Sequence, residues 1–241
     1  MSRPEDRTLS RPDAVNVAHL VERCRVLGPG ERFALWVQGC PLRCPGCHNL
    51  DFLPFVDAMW ITIGELERRI LATTGIEGVT FVGGEPFAQA RALGILAQRI
   101  RRAGLSVMVY SGYTVEQLVS GVEPDAMWLL YSTDLVMDGP YRRELPTQRP
   151  WRGSDNQRLI ALSQRYADRV EEWNRPVGQD FEVRVRADGT LEVLGIPPAA
   201  LSAREGTAWP DVCDGGRQGP GTGTVRTDGQ FNRFMPPCEE D

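Results

Sequence analysis

Hydrophobic and polar positions change period several times along this chain, and the changes mark its elements. Residues 14–21 alternate, with Val15, Val17 and His19 on one face, and predict a strand. A second apolar run, Phe33 to Val37, follows the turn signal Leu27-Gly-Pro-Gly30. From Thr62 to Thr74 the period lengthens to that of a helix, with Ile63, Leu66, Ile70 and Leu71 on one face. Gly78 to Val82 predicts a short strand ending in Gly83-Gly84-Glu85-Pro86. A helix over Phe87 to Ala103, a strand over Leu105 to Tyr110 and a short helix over Thr114 to Ser120 follow, with Thr114 as N-cap. The apolar run Ala126 to Tyr131 reads as a strand, and Asp134 to Met137 as a further short one. Strands alternating with helices predict an α/β fold with a parallel sheet. Residues 181–194 predict a hairpin turning at Asp188-Gly189.

The ends of the chain lack this order. Residues 1–13 form a polar arm, and the segment 202–241 is rich in Gly, Pro and Asp, the composition of a disordered tail. The ordered domain is expected over residues 14–201. The chain's length of 241 residues and its 41% hydrophobic content suffice for one core.

Charge and composition narrow the chemistry. A net charge of −5 provides no electrostatic case for nucleic-acid binding. All 27 basic residues are arginines, so lysine Schiff-base chemistry is excluded. No apolar run reaches the ~20 residues of a membrane span, and the N-terminus has no apolar signal core. A cytoplasmic location is expected. In a reducing compartment the six cysteines read as metal ligands or buried thiols rather than as disulfides.

Three of those cysteines carry the chemistry. Cys40, Cys44 and Cys47 lie in one C-x3-C-x2-C loop. Three close thiolates can hold three irons of a 4Fe–4S cubane and leave the fourth iron open to a small molecule. A zinc site with His48 as fourth ligand is the alternative, although zinc ligands usually come as two separated pairs. The Gly83-Gly84-Glu85-Pro86 turn adds a second feature. Two glycines let the backbone approach a ligand closely, where Glu85 or exposed backbone groups can bond an ammonium. On this reading Gly84→Val would leave a cluster intact and weaken ligand binding.

The cysteine loop together with that turn resembles the radical S-adenosylmethionine (SAM) superfamily. Further blocks resemble the activating proteins of anaerobic (class III) ribonucleotide reductase. They are Leu27 to Gly30 with Arg32, Trp36 to Asn49, Tyr110 to Thr114, Met137 to Tyr141, and Trp151 to Arg158. The resemblance covers residues ~14–197 in order. It implies an incomplete TIM-like barrel of mostly parallel strands with a C-terminal β-hairpin. It implies a 4Fe–4S cluster on Cys40, Cys44 and Cys47, with SAM on the open iron. Reductive cleavage of SAM to a 5′-deoxyadenosyl radical would then make a glycyl radical on a large partner enzyme. It further implies SAM contacts from Gly83, Gly84, Glu85, Ser111, Asp138 and Arg152, and an external electron donor such as flavodoxin. It identifies no catalytic side chain beyond these. A radical SAM enzyme acting on a small molecule or peptide, and a non-catalytic iron–sulfur module, are the other readings. Cys24 reads as buried packing, and the resemblance leaves Cys213 and Cys238 in the tail without a role.

Overall fold

The structure, a computed structural model, describes residues 11–185 and 191–196 and the backbone of 231–232. It divides into two units, Met1–Gly178 and Gln179–Asp241. The first unit is built on a seven-stranded sheet of order β3-β1-β2-β4-β5-β6-β7. Its strands are β1 (Ala14–Cys24), β2 (Arg32–Val37), β3 (Met59–Thr62), β4 (Gly78–Gly83), β5 (Ser106–Tyr110), β6 (Leu135–Asp138) and β7 (Arg158–Ala161). The central β2, β4, β5 and β6 pair in parallel. β1, β3 and β7 add antiparallel margins. The sheet is open, with β3 and β7 at its edges.

The strand period decides which side chains reach which layer. Phe33, Leu35, Val37, Val79, Phe81, Val107 and Val109 face one core. Helices α1 (Ile63–Ala72) and α2 (Ala90–Arg102) cover it with Leu66, Ile70, Leu93, Leu96 and Ile100. Thr62 caps α1 by accepting from the Glu65 N–H. The short helix α3 (Val115–Val119) begins in a capping box between Thr114 and Gln117. On the opposite sheet face Met108, Leu135, Met137 and Leu159 pack with Tyr166 and with Trp173 of α5 (Val170–Trp173).

Residues 126–131 depart from the sequence expectation. They form a helix, α4 (Ala126–Tyr131), and not a strand. Ala126, Leu129 and Leu130 are buried while Met127, Trp128 and Tyr131 are exposed, which is helical spacing. A six-residue apolar run carries no periodicity that separates the two states, and tertiary packing decides. Here Trp128 lies over Gly94 of α2, where a Cβ would come within 2.2 Å of the indole. The sequence reading also missed β3 and β7, both only four residues long.

The Leu27-Gly-Pro-Gly30 turn is fastened by Arg32, which is fully buried at the start of β2. Its guanidinium donates to the Pro29 carbonyl, to Thr80 Oγ1 and Ser106 Oγ, and to the Val79 carbonyl. Thr80 in turn donates to the Leu27 carbonyl. A buried cation is tolerated here because every bond it loses to water is replaced.

The second unit contains a small antiparallel sheet, β8 (Phe181–Val185), β9 (Leu191–Gly195) and β10 (Phe231–Asn232), in the order β10-β9-β8. Val183 pairs with Val193 in the expected hairpin. Its turn at Asp188-Gly189, residues 1–10, Cys213, Cys238 and nearly all of 202–241 lie outside the described residues.

Candidate functional site

The cysteine loop leaves the C-terminal end of β2, where ligands collect in open parallel sheets. Its start is anchored by the Gly39 N–H donating to the Phe52 carbonyl (2.8 Å) and the Cys40 N–H to Leu53 (3.0 Å). Cys47 N–H closes a turn on the Cys44 carbonyl at 3.1 Å. Cys40 is buried, whereas Cys44 and Cys47 are half-buried. Burial, and then the nearby Glu85 charge, push the Cys40 thiol up to about 12. Such a thiol is protonated near neutral pH, and a metal must displace that proton to bind.

A group of buried amides holds this loop in place, and the sequence reading passed over it. Asn16 and Gln89 exchange hydrogen bonds between β1 and the start of α2. Gln89 also donates to the Gln38 carbonyl, and Gln38 donates to Pro54 and Asp51. Asn16, an amide inside the apolar run that opens β1, was the available signal.

The Gly83-Gly84-Glu85 turn is stitched directly to the cysteine loop. Gly84 N–H donates to Val37 and Glu85 N–H to Gly39, at 2.8 and 2.9 Å. A Cβ on Gly84 would lie 2.3 Å from the Gly39 carbonyl oxygen, and one on Gly83 2.6 Å from Val37 N. Both close contacts are to backbone, which cannot swing away. The expectation that Gly84→Val spares the cluster is therefore replaced. Gly84→Ala is expected to displace the loop one residue before Cys40 and to lower iron and sulfide content after reconstitution severalfold. Metal analysis beside a thermal melt checks this; full iron loading would overturn it.

Glu85 is 1% exposed, and its carboxylate turns inward. Oε1 accepts from the Phe87 N–H and from Ser111 Oγ, both at 3.0 Å, and Oε2 accepts from Gly112 N–H at 2.9 Å. Burial raises its pKa to about 7 against the pull of these three donors. The side chain thus ties the end of β4 to the end of β5. Ser111, also buried, is committed to the same knot, since its Oγ accepts from Tyr113 N–H as well.

Asp138 and Arg152 are held elsewhere. Asp138, fully buried at the end of β6, accepts from Arg158 Nε (2.9 Å) and Nη2 (2.5 Å) and from the Val115 N–H at the start of α3. Arg152 is buried, donates from Nε to the Gln157 carbonyl at 2.9 Å, and bonds Asn174. The structure therefore brings Gly83, Gly84, Glu85 and Ser111 together beside the cysteine loop, with Asp138 paired to Arg158 and Arg152 to Asn174.

Two further residues meet the loop. Tyr141 OH lies 3.1 Å from His48 Nε2, with the rings edge to face. Asn49 Nδ2 reaches toward the Gly83 carbonyl at 3.5 Å, while its Oδ1 is buried with no hydrogen bond. A buried acceptor without a donor, between the thiols and the glycine turn, is what a bound polar ligand would satisfy. Among the described residues no group of three or more His, Cys, Asp or Glu is placed to hold a single metal ion. A cubane spreads its thiolates farther apart than one ion does. His48 Nε2 is engaged by Tyr141, so the zinc alternative gains no support from its fourth ligand. Three thiols in one loop fit an iron–sulfur cluster.

An α/β sheet with three thiols at the end of one strand, joined to a glycine turn at the end of the next, defines an iron–sulfur enzyme site. Residues 26–160 match the family of 4Fe-4S single cluster domains. The anaerobic ribonucleoside-triphosphate reductase-activating protein of Enterobacteria phage T4 is 32% identical over 140 residues, 56% of this chain and 86% of that protein. The protein of that name in Escherichia coli K12 is 31% identical over 144 residues, 55% of this chain and 89% of the relative. The pyruvate formate-lyase 1-activating enzyme of E. coli K12 is 31% identical over 127 residues, 49% of each chain. The chain belongs to the 4Fe–4S single-cluster family and is a radical SAM enzyme of the glycyl-radical activating type. Its cofactors are a 4Fe–4S cluster and SAM.

Proposed function

We propose that this protein cleaves SAM reductively and generates a glycyl radical on a large partner enzyme of the anaerobic ribonucleotide reductase class. The observation that carries this reading is the stitching of the cysteine loop to Gly83-Gly84-Glu85 through Val37 and Gly39. It makes one rigid platform from the two sequence features that such chemistry needs. Cys40, Cys44 and Cys47 would hold the cluster. The cluster and SAM, when bound, supply an electron and a 5′-deoxyadenosyl radical able to take a hydrogen atom from a glycine Cα.

The chain's own residues bind and orient. Gly83 and Gly84 present backbone carbonyls to the SAM ammonium, because the Glu85 side chain is already occupied by three protein donors. Asn49 Oδ1 offers one more acceptor. Ser111, Asp138 and Arg152 belong to the same proposal as groups around SAM, acting through the strand ends they hold. The open sheet, with β3 and β7 at its edges, suits a protein substrate that must present a backbone glycine. An external one-electron donor such as flavodoxin completes the reaction, which we place in the cytoplasm.

The test is anaerobic. After reconstitution with iron and sulfide and reduction by dithionite, added SAM is expected to give 5′-deoxyadenosine. With the reductase present, a glycyl radical should appear in the electron paramagnetic resonance spectrum. An intact cluster that yields no 5′-deoxyadenosine, with or without the reductase, would overturn the proposal.

A further inference from the structure

Many exposed arginines of the first unit are ion-paired, and three that are not lie at the cysteine loop or next in sequence to one that does. Arg23 pairs with Glu31, Arg68 and Arg69 with Glu65, Arg99 with Glu67, and Arg101 with Asp134. Arg43, Arg142 and Arg143 are exposed, and among the described residues none of them has a carboxylate oxygen within 4.0 Å. Glu144 follows them in sequence, and its charge reaches Tyr141, but it forms no such pair.

Arg43 and Arg143 belong to the loop surface, and Arg142 adjoins Arg143 in sequence. Arg43 precedes Cys44 within the loop itself. The Arg143 side chain lies over Gly46, its Cδ 3.1 Å from where a Cβ would stand. Arg142 lies between Arg143 and Tyr141, the residue that meets His48. Arg43 also sits at φ +48°, in the left-handed region. A side chain there costs about 1 kcal/mol that glycine would avoid. Its guanidinium makes no hydrogen bond among the described residues, so folding draws nothing from it. Strain held without a folding return points to function.

The chemistry of this surface selects its partner. In a chain of net charge −5, these segments carry three exposed arginines against two exposed acids, Asp51 and Glu144. Exposed Pro45 and Gly46 lie at the tip, with half-buried Cys44 and Cys47 beside them. The tip itself is small and charged, with Leu50 the exposed apolar side chain that follows the loop. That suits a brief, salt-sensitive electron-transfer encounter better than a lasting complex, which needs an apolar centre.

We propose that Arg43, Arg142 and Arg143 form the docking surface for an acidic one-electron donor protein that reduces the cluster. The proposal rests on the cluster assignment made above. The step moves one electron: the donor is oxidised by one, the cluster is reduced by one, and no bond forms or breaks. Opposite charge speeds the encounter and is screened by salt.

The experiment compares wild type with the double variant R43Q/R143Q. Cluster reduction is followed by stopped-flow absorbance, once with a fully reduced acidic flavodoxin and once with photoreduced deazaflavin, a small molecule. The variant should be reduced about tenfold more slowly by the protein donor at low ionic strength, with the gap closing near about 0.5 M salt. Its rate with deazaflavin should be unchanged. Flavodoxin binding to the cluster-free chain, read by fluorescence anisotropy, should weaken to a similar degree. That second readout stands even if the variant takes up cluster poorly. The control R91Q/R102Q removes two exposed arginines away from the loop and should behave as wild type. Equal donor rates and affinities in R43Q/R143Q and wild type would overturn the proposal. So would an equal slowing in the control, or a variant that loses the glycyl-radical enzyme while keeping the donor. A wild-type chain that forms no reducible cluster would overturn the functional reading first, and this one with it.

Discussion

Replacing Cys44 with alanine is expected to leave a folded protein that holds no stable cluster and makes no 5′-deoxyadenosine. Two thiolates cannot retain three irons of a cubane, and Cys44 lies in the loop turn that sets the direction of Cys47. Changes in the outer shell of a metal site cost roughly ten- to a hundredfold. Loss of a ligand from an already three-thiol set should exceed that, reducing SAM cleavage by more than about a hundredfold. Cys24→Ser is the matched comparison. Cys24 is fully buried at the end of β1, outside the loop. It should keep its iron and lose only packing energy, about 1 kcal/mol or so. Iron and sulfide analysis with the visible spectrum decides between them. A brown, active Cys44→Ala protein would remove the cluster assignment.

The second large effect is expected at Glu85, and it is a stability effect before it is a binding effect. Glu85→Ala strands Phe87 N–H, Gly112 N–H and Ser111 Oγ, three groups that now converge on one carboxylate. A buried donor left unsatisfied costs about 1–3 kcal/mol. With three of them the loss approaches about 4 kcal/mol, a large part of the ~5–15 kcal/mol that keeps a domain folded. Urea unfolding of the cluster-free protein should show a lower midpoint with an unchanged slope. SAM affinity should fall with it, because the ends of β4 and β5 are no longer tied. Glu85→Gln should lose less stability, about 1–3 kcal/mol, since one oxygen survives and only part of the donor set is stranded. An alanine variant of wild-type stability that lost only SAM binding would show instead that the carboxylate faces the ligand.

These two sites also show how sequence and tertiary structure divide the work. The three thiols are legible because their spacing lies within one loop, and a loop's chemistry is local. The same holds for the alternation of strands and helices, for Thr114 as a cap, and for the Gly-Gly turn after β4. The orientation of Glu85 is not local. Its partners Ser111 and Gly112 lie 26 and 27 residues away, and they meet it only because β4 and β5 stack in parallel. Gly84 likewise looked like room for a ligand, and the fold fills that room with the Gly39 carbonyl.

What the sequence determined by itself was therefore the chemistry available: three loop thiols, a glycine turn one strand away, no lysine, and a repeating strand–helix order. Tertiary structure decided what each group is free to do. It made residues 126–131 a helix, because burial of Ala126, Leu129 and Leu130 outweighed a run with no period of its own. It bonded Asn16 to Gln89 across 73 residues to steady the cysteine loop. It also turned Glu85 inward and left Arg43, Arg142 and Arg143 outside. Periodicity records only which face of an element is apolar. The polar contacts that build a site depend on which strands become neighbours, and that is settled only when the sheet closes over its core.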